Sequence, residues 1–295
     1  MADQLIGVDL GGTAIKLGRF RRSGELVAEL TTATPQPAMP GAVTTAIAEA
    51  IARLDPERAA PLVGIGHPGP ADRTCRVARL AINLPGWSDV PLADWLEPLL
   101  HRRVTCANDA NCAAIGEAWL GAARGADDVL LLTLGTGVGG AVLLGGQLFT
   151  GAHGTAAEPG LICIDPDGPP CNSGNSGSLE SFCSLRGLAR LTSLDPVELC
   201  RLADAGDAEA LAVWQGYGRL LGIGLSSLLY VLTPQRVLLG GGLSGASLHF
   251  LPAVWREVNK RVLPVCRVGL EIRRCELGNG AGRLGAAKLA LDRLG

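Results

Sequence analysis

Apolar residues run along this chain in short blocks, and most blocks stop at a glycine, a proline or a lone acidic residue. Their spacing predicts strands at 5–10, 14–20 and 25–32, a meander, then a helix over 41–54 that ends near Asp55-Pro56. A strand at 62–66 runs into a rigid loop, His67-Pro68-Gly69-Pro70-Ala71-Asp72. A second loop at 81–87 precedes a short helix at 91–100. A strand at 103–106 meets Asn108-Asp109, and a helix over 110–120 stops at Gly121. The apolar stretch 129–144 is cut by Gly135-Thr136-Gly137 into two buried strands and so is no membrane span. A glycine-, proline- and serine-rich loop region fills 150–178. The pattern is helical from 179 until a strand at 236–239 ends on Gly240-Gly241-Gly242. A helix near 247–261, a strand near 268–274 and a last helix over 280–293 follow. No period of roughly 20–50 residues repeats, which excludes a solenoid.

Composition narrows the class. The 295 residues suffice for two domains. Hydrophobic residues at 47 % against charged residues at 18 %, with 41 glycines, describe a well-packed α/β enzyme and exclude a disordered or fibrous chain. A formal net charge of −2 offers no basic field to nucleic acid or an anionic membrane. The 9 cysteines, odd in number and scattered, point to a reduced, cytoplasmic setting. No targeting segment is expected, because the first strand begins by Leu5.

The chemistry sits where the blocks break. Leu10-Gly11-Gly12-Thr13 and Leu134-Gly135-Thr136-Gly137 each join two apolar strands. Phosphate oxygens need several convergent donors at about 3 Å, and a side chain at those positions would hold the backbone away. Glycine removes the obstruction and is expected here to supply left-handed turns that form an anion-binding nest. One such loop is weak evidence, since tight hairpins use glycine for conformational reasons; two of the same type are much stronger. Asp9 beside the first loop is placed to hold a hydrated Mg²⁺. Asp109 is an isolated carboxylate able to take a proton from a hydroxyl, although Asn108 or Asp109 is equally a helix cap. The equipment is that of a phosphotransferase made of two duplicated halves.

The segments Asp9-Leu-Gly-Gly-Thr-Ala-Ile-Lys16, Asn108-Asp109-Ala-Asn111, Leu134-Gly-Thr-Gly-Val-Gly-Gly140, Glu158-Pro-Gly160 and Asp165-Pro-Asp-Gly-Pro-Pro-Cys171 resemble the ROK family (repressors, open reading frames and sugar kinases), nearest its bacterial glucokinase branch. The resemblance covers essentially the whole chain. It implies an actin-like ATPase (ribonuclease-H-like) α/β fold of two domains with an interdomain cleft. These are a smaller N-terminal domain, 1–115, completed by the C-terminal helix 280–295, and a larger domain, 116–279. It also implies ATP, Mg²⁺ and a hexose as ligands, and a homodimer or homotetramer. Asp109 matches the family's catalytic base. Asn83, Asn108, Glu158 and Glu180 match sugar contacts, as does Asp109 itself. For Glu180, the favourable place of an acid in the first turn of a helix is the structural alternative. Asp9, Gly11, Gly12, Thr13, Lys16, Gly135, Thr136, Gly137 and Gly139 match phosphate contacts, and Gly240, Gly241 and Gly242 match a turn facing the adenosine.

One motif departs from the family. The resemblance implies a structural zinc held by a His and three Cys, but the corresponding positions here are Leu161, Cys171, Ser173 and Ser178. Zinc takes about four N or S donors, and one thiolate with neutral hydroxyls does not supply them, so no zinc is expected here. His153 lies eight residues before position 161 and is no simple replacement. His67, His101 and His249 are expected to be surface or loop groups, with His67 near the cleft. Losing the family's histidine at 161 removes a sugar contact worth roughly 1–3 kcal/mol if the hydroxyl is left unpaired.

Three classes remain: an ATP-dependent hexokinase favouring glucose, a sugar-responsive repressor, and a silent sugar-binding module. The repressor is disfavoured because the phosphate motif starts at Asp9, ahead of which no helix-turn-helix fits, and the charge is wrong for DNA. Intact Asp109 argues against the silent module. Within the kinase class the alternatives are kinases of N-acetylmannosamine, N-acetylglucosamine or fructose, and a polyphosphate-dependent glucokinase.

Overall fold

The computed structural model describes residues 3–81 and 84–295. In chain order the elements begin with β1 (Gln4–Leu10), β2 (Ala14–Arg21), β3 (Leu26–Ala33), α1 (Pro40–Leu54), β4 (Leu62–His67), β5 (Ala78–Leu80) and β6 (Ser88–Val90). They continue with α2 (Leu92–Leu100), β7 (Arg103–Asn108), α3 (Asp109–Leu120), β8 (Val129–Leu134), β9 (Val138–Leu144) and β10 (Gln147–Leu148). The rest are α4 (Leu179–Cys183), α5 (Leu185–Leu188), α6 (Pro196–Asp204), α7 (Ala208–Leu232), β11 (Arg236–Gly240), α8 (Ser247–Arg261), β12 (Glu271–Arg274) and α9 (Ala281–Leu294). The chain forms two compact units. One comprises Met1–Gly125, Leu148–Ala157 and Glu276–Gly295; the other comprises Ala126–Gln147 and Glu158–Cys275.

The first unit is built on a five-stranded sheet of order β3-β2-β1-β4-β7. β1, β2 and β3 pair antiparallel, while β4 and β7 run parallel to β1. Period-two alternation sends Ile6, Val8 and Leu10 to one face, where they meet Val43, Ile47 and Ile51 of α1 and Leu92 and Leu96 of α2. Leu5, Phe20 and Leu62 face the other way, onto Leu284, Ala287 and Ala290 of α9. Glycine lets α9 lie directly on the sheet, because a Cβ at Gly7 or Gly64 would overlap the carbonyls of Arg283 or Ala286. Gly116 and Gly285 allow α3 the same approach to α9. All of α3 therefore packs within the first unit, and the chain leaves that unit at Gly125, where 115 was the expected boundary.

The second unit repeats the plan, with strand order β10-β9-β8-β11-β12, β9 antiparallel to β8, and β11 parallel to both β8 and β12. Leu130, Leu131 and Leu132 are all buried, as a strand covered on both faces requires. Trp214 and Tyr217 of α7 pack with Phe250 of α8 at ring-centroid separations of 5.2–6.1 Å. This duplicated α/β architecture is the actin-like ATPase fold. No helix among the described residues is long and apolar enough to cross a membrane.

Two expectations need correction, and one strand pair was not expected. The strand expected at 268–274 spans only Glu271–Arg274, because Pro264–Arg267 forms a 3-10 turn and Gly269 sits at φ +71°. β5 and β6 form a small hairpin that runs too short for a periodic signal. His67 is no surface or loop group: it ends β4, is fully buried, and stacks 6.5 Å from Trp87.

Candidate active site

In each unit the predicted residues gather at the carboxyl ends of parallel strands, where ligands of open α/β sheets bind. In the first, register places Asp9 of β1 beside Gly66 of β4, and His67 beside Asn108 of β7. Asp9 also pairs across the hairpin with Lys16 of β2. In the second, Gly240 of β11 lies beside Thr133 of β8, which brings the 240–242 turn next to the 135–137 loop.

The first glycine loop is held by neutral groups. Gly11 N–H donates to Ala14 O at 2.9 Å, Thr34 Oγ1 to Gly11 O at 2.7 Å, and Gln36 Nε2 to Gly12 O at 2.9 Å. The N–H groups of Gly12 and Thr13 have no acceptor among the described residues. The nest reading needs one correction: none of Gly11, Gly12, Gly135 or Gly137 has positive φ. Conformation therefore does not explain these glycines. A Cβ at Gly12 or Gly135 would meet nothing within 4 Å, so the protein itself leaves that space open.

Asp9 lies half-buried against the first turn of α9, where a Cβ at Gly282 would come 3.2 Å from its Cγ. Burial pushes its carboxyl above the usual range, opposed by the charges of Lys16 and Arg283. Asn108 is the cap of α3, its Oδ1 accepting from Ala110 N at 2.9 Å and Asn111 N at 3.2 Å. That leaves Asp109 in the first turn, exposed, with Oδ1 accepting from Ala110 N at 2.7 Å. Its carboxyl is also pushed up, first by desolvation and then by the charge of Asp9. Hydrogen bonds from Ala110 and Asn108 act the other way. Two carboxylates close enough to repel, both of raised proton affinity, can serve as a cation holder and a proton acceptor. Asn83, the remaining expected residue of this unit, lies outside the described residues.

The second loop is braced by a carboxylate. Glu180, in the first turn of α4, accepts from Val138 N at 3.0 Å, and a Cβ at Gly137 would come 2.5 Å from Glu180 Oε2. Gly135 O accepts from Leu185 N at 2.8 Å. The Val138 carbonyl touches Gly160, which brings exposed Glu158 to the same strand start. Gly139 lies against Thr133, where a Cβ would come 2.8 Å from Thr133 Oγ1. Gly241 sits at φ +79° against Leu134, a place only glycine fills easily, while Gly242 has open space around it.

The loop from 161 to 178 keeps its shape through its backbone: Ile164 N–H donates to Gly177 O at 2.8 Å, Cys171 N–H to Asn175 O at 2.7 Å, and Leu179 N–H to Ile162 O at 2.9 Å. Ser178 Oγ caps α4 by accepting from Ser181 N at 3.1 Å. Burial alone would raise the Cys171 thiol, but hydrogen bonds from Ser173 and Ser178 outweigh it and hold the thiol below its usual range. Around this point the chain offers one thiol and two hydroxyls, with an apolar Leu161.

Sequence reasoning missed Gly282 and Arg283, which shape and charge the surroundings of Asp9 from the far end of the chain. The small-residue run Gly278-Asn-Gly-Ala-Gly282 ahead of a helix was the available signal. It also missed the brace from Glu180 to Val138.

Comparisons with known proteins give the family and the fold. The family model described as ROK family matches residues 5–293. The chain is 34 % identical to a glucokinase of Thermotoga maritima, covering 99 % of this chain and 98 % of that protein. The fold matches the crystal structure of a ROK hexokinase from Thermus thermophilus, with a TM-score of 0.85, 37 % identity, and 99 % of both chains covered. It also matches a ROK family glucokinase from Streptomyces griseus in complex with glucose and AMPPNP, with a TM-score of 0.81, 32 % identity, and 98 % of this chain and 99 % of that one covered.

Proposed function

Because this chain belongs to the ROK family, we propose that it is a sugar kinase phosphorylating glucose to glucose 6-phosphate with ATP. The observation that carries the mechanism is the place of Asp109: an exposed carboxylate in the first turn of α3, next to Asn108 at the carboxyl end of β7, with no ion pair among the described residues. The sugar 6-hydroxyl oxygen attacks the γ-phosphorus, the bond from γ-phosphorus to the bridging oxygen breaks, ADP leaves, and the hydroxyl proton passes to Asp109. Asn108, Glu158 and Glu180 orient the sugar, and Asn83 is assigned the same part. The free N–H groups of Gly12 and Thr13, with Gly11, Lys16, Gly135, Thr136, Gly137 and Gly139, take the phosphates. Gly240, Gly241 and Gly242 form the turn for the adenosine. The burial of the Asp9 carboxylate, only partly offset by Lys16 and Arg283, fits a hydrated Mg²⁺, which would neutralise phosphate charge when bound.

The thiol of Cys171 and the hydroxyls of Ser173 and Ser178, beside apolar Leu161, do not fit zinc, so the loop relies on its backbone hydrogen bonds instead. The enzyme works in the cytoplasm, a setting supported by its 9 free cysteines. The family implies a dimer or tetramer, which light scattering tests.

The deciding experiment pairs Asp109→Asn with a hexose panel and two donors, ATP·Mg²⁺ and polyphosphate. The parent is expected to turn over glucose with ATP, and the variant to lose about 10²–10⁴-fold in kcat while still binding sugar. Undiminished turnover by the variant sinks the mechanism. Turnover of an N-acetylhexosamine alone moves the specificity and leaves Asp109 in place.

A further inference from the structure

Away from these residues, the second unit brings together three side chains that the reaction does not use. Cys200 and Asp204 lie one turn apart on α6, so they share a face, and His249 stands in the first turn of α8. One donor atom from each lies within 4.8 Å of the others, and His249 Nε2 is 2.9 Å from Asp204 Oδ1. Cys200 and His249 are half-buried and Asp204 is exposed, which leaves one side of the group open to water. An ion pair between His249 and Asp204 would account for two of the three. It gives no reason for the thiol beside them.

We propose that Cys200, Asp204 and His249 form a binding site for zinc or a chemically similar divalent transition metal, with solvent supplying the fourth ligand. A thiolate, an imidazole and a carboxylate make a donor set of the kind zinc takes in three-ligand sites, while magnesium and calcium prefer oxygen alone. Donors in a tetrahedral zinc shell stand about 3.5 Å apart, so the present spacing needs only a small inward rotation of the side chains. On binding, the Cys200 thiol gives its proton to solvent and the thiolate bonds the metal. Neutral His249 gives its Nε2 lone pair, with the ring proton on Nδ1, and the Asp204 carboxylate turns from the imidazole to the ion. The metal then ties α6 to the start of α8 where His249 Nε2 now meets Asp204 Oδ1. This site is separate from the loop at 161–178, where the family's zinc would lie and where the donors do not fit.

The test uses the full chain, washed with chelator and titrated with Co²⁺ as a spectroscopic stand-in for zinc. The expected result is one equivalent bound with a thiolate-to-cobalt charge-transfer band, displaced by Zn²⁺, and a melting temperature raised by either metal. Cys200→Ser is expected to abolish the band, and His249→Gln to weaken binding at least tenfold. Cys171→Ser is expected to leave both unchanged. Circular dichroism of each variant confirms that it is folded, and His249→Gln carries the test should Cys200→Ser fail to fold. Absence of the band in the parent, its survival in Cys200→Ser, unchanged affinity in His249→Gln, or its loss in Cys171→Ser would each overturn the proposal.

Discussion

The two glycine loops look interchangeable in sequence but are held in different ways. In the first unit the loop is fixed by Thr34 and Gln36 through its carbonyls, and the nearby Asp9 carboxylate is left for something else. In the second, the carboxylate of Glu180 braces the loop itself through Val138 N–H. A shared motif thus does not mean a shared division of labour. In one unit the carboxylate beside the loop is buried at some cost to the fold, and in the other a carboxylate braces the loop directly.

The widest separation between the two should come from removing each carboxylate. Asp9→Asn is expected to lower kcat/KM for ATP by about a hundredfold or more, since an organised electrostatic contact is lost. Its melting temperature at neutral pH should hold or rise. The sign follows from the raised proton affinity: a carboxyl whose folded pKa lies above its unfolded value destabilises the fold above that pKa, and an amide removes this cost. Glu180→Gln is expected to lower melting temperature as well as activity. The contrast fails if Asp9→Asn melts well below the parent or keeps full activity.

Acid offers a second probe, because the first unit holds the fully buried histidine. Desolvation lowers the pKa of His67 from 6.5 to about 4. Above pH 6.5 both folded and unfolded forms are neutral; between 6.5 and about 4 the unfolded chain takes a proton that the folded one refuses, so stability falls as pH falls. By pH 5 this amounts to about 2 kcal/mol. Urea midpoints of parent and His67→Gln at pH 7.5 and pH 5 measure it: the parent should lose about 2 kcal/mol more than the variant. Equal losses would remove His67 as the source.

What the sequence made legible follows from the range of each signal. The β1–β2 and β8–β9 hairpins, the capped start of α3 and the glycine turn after β11 are written in neighbouring residues, and spacing alone finds them. The brace from Glu180 to Val138 joins positions 42 apart, and the pressure of Gly282 on Asp9 joins the two ends of the chain. Such contacts leave no periodic trace. His67 was misplaced because a polar residue after an apolar strand reads as the start of a loop; only the ring of Trp87 and the burial around it show otherwise. The left-handed turns expected of the two glycine loops are absent at Gly11, Gly12, Gly135 and Gly137. Gly12 and Gly135 leave open space and Gly137 makes room for Glu180, which composition cannot distinguish from the angles glycine permits.

That distinction gives the smallest and most discriminating prediction. At Gly12 the backbone has no positive φ and an added Cβ meets nothing within 4 Å, so alanine is tolerated by the fold. By restricting the unfolded chain, Gly12→Ala should stabilise by about 0.4–1 kcal/mol. The same methyl would stand where a phosphate approaches the free N–H groups, so KM for ATP should rise. At Gly137 the added Cβ comes 2.5 Å from Glu180 Oε2. The carboxylate must then leave Val138 N–H, and Gly137→Ala should cost about 1–2 kcal/mol. Thermal melts of the two variants should therefore move in opposite directions although both damage ATP use. A fall for Gly12→Ala would mean its open space belongs to the fold, and no fall for Gly137→Ala would mean Glu180 does not brace the loop.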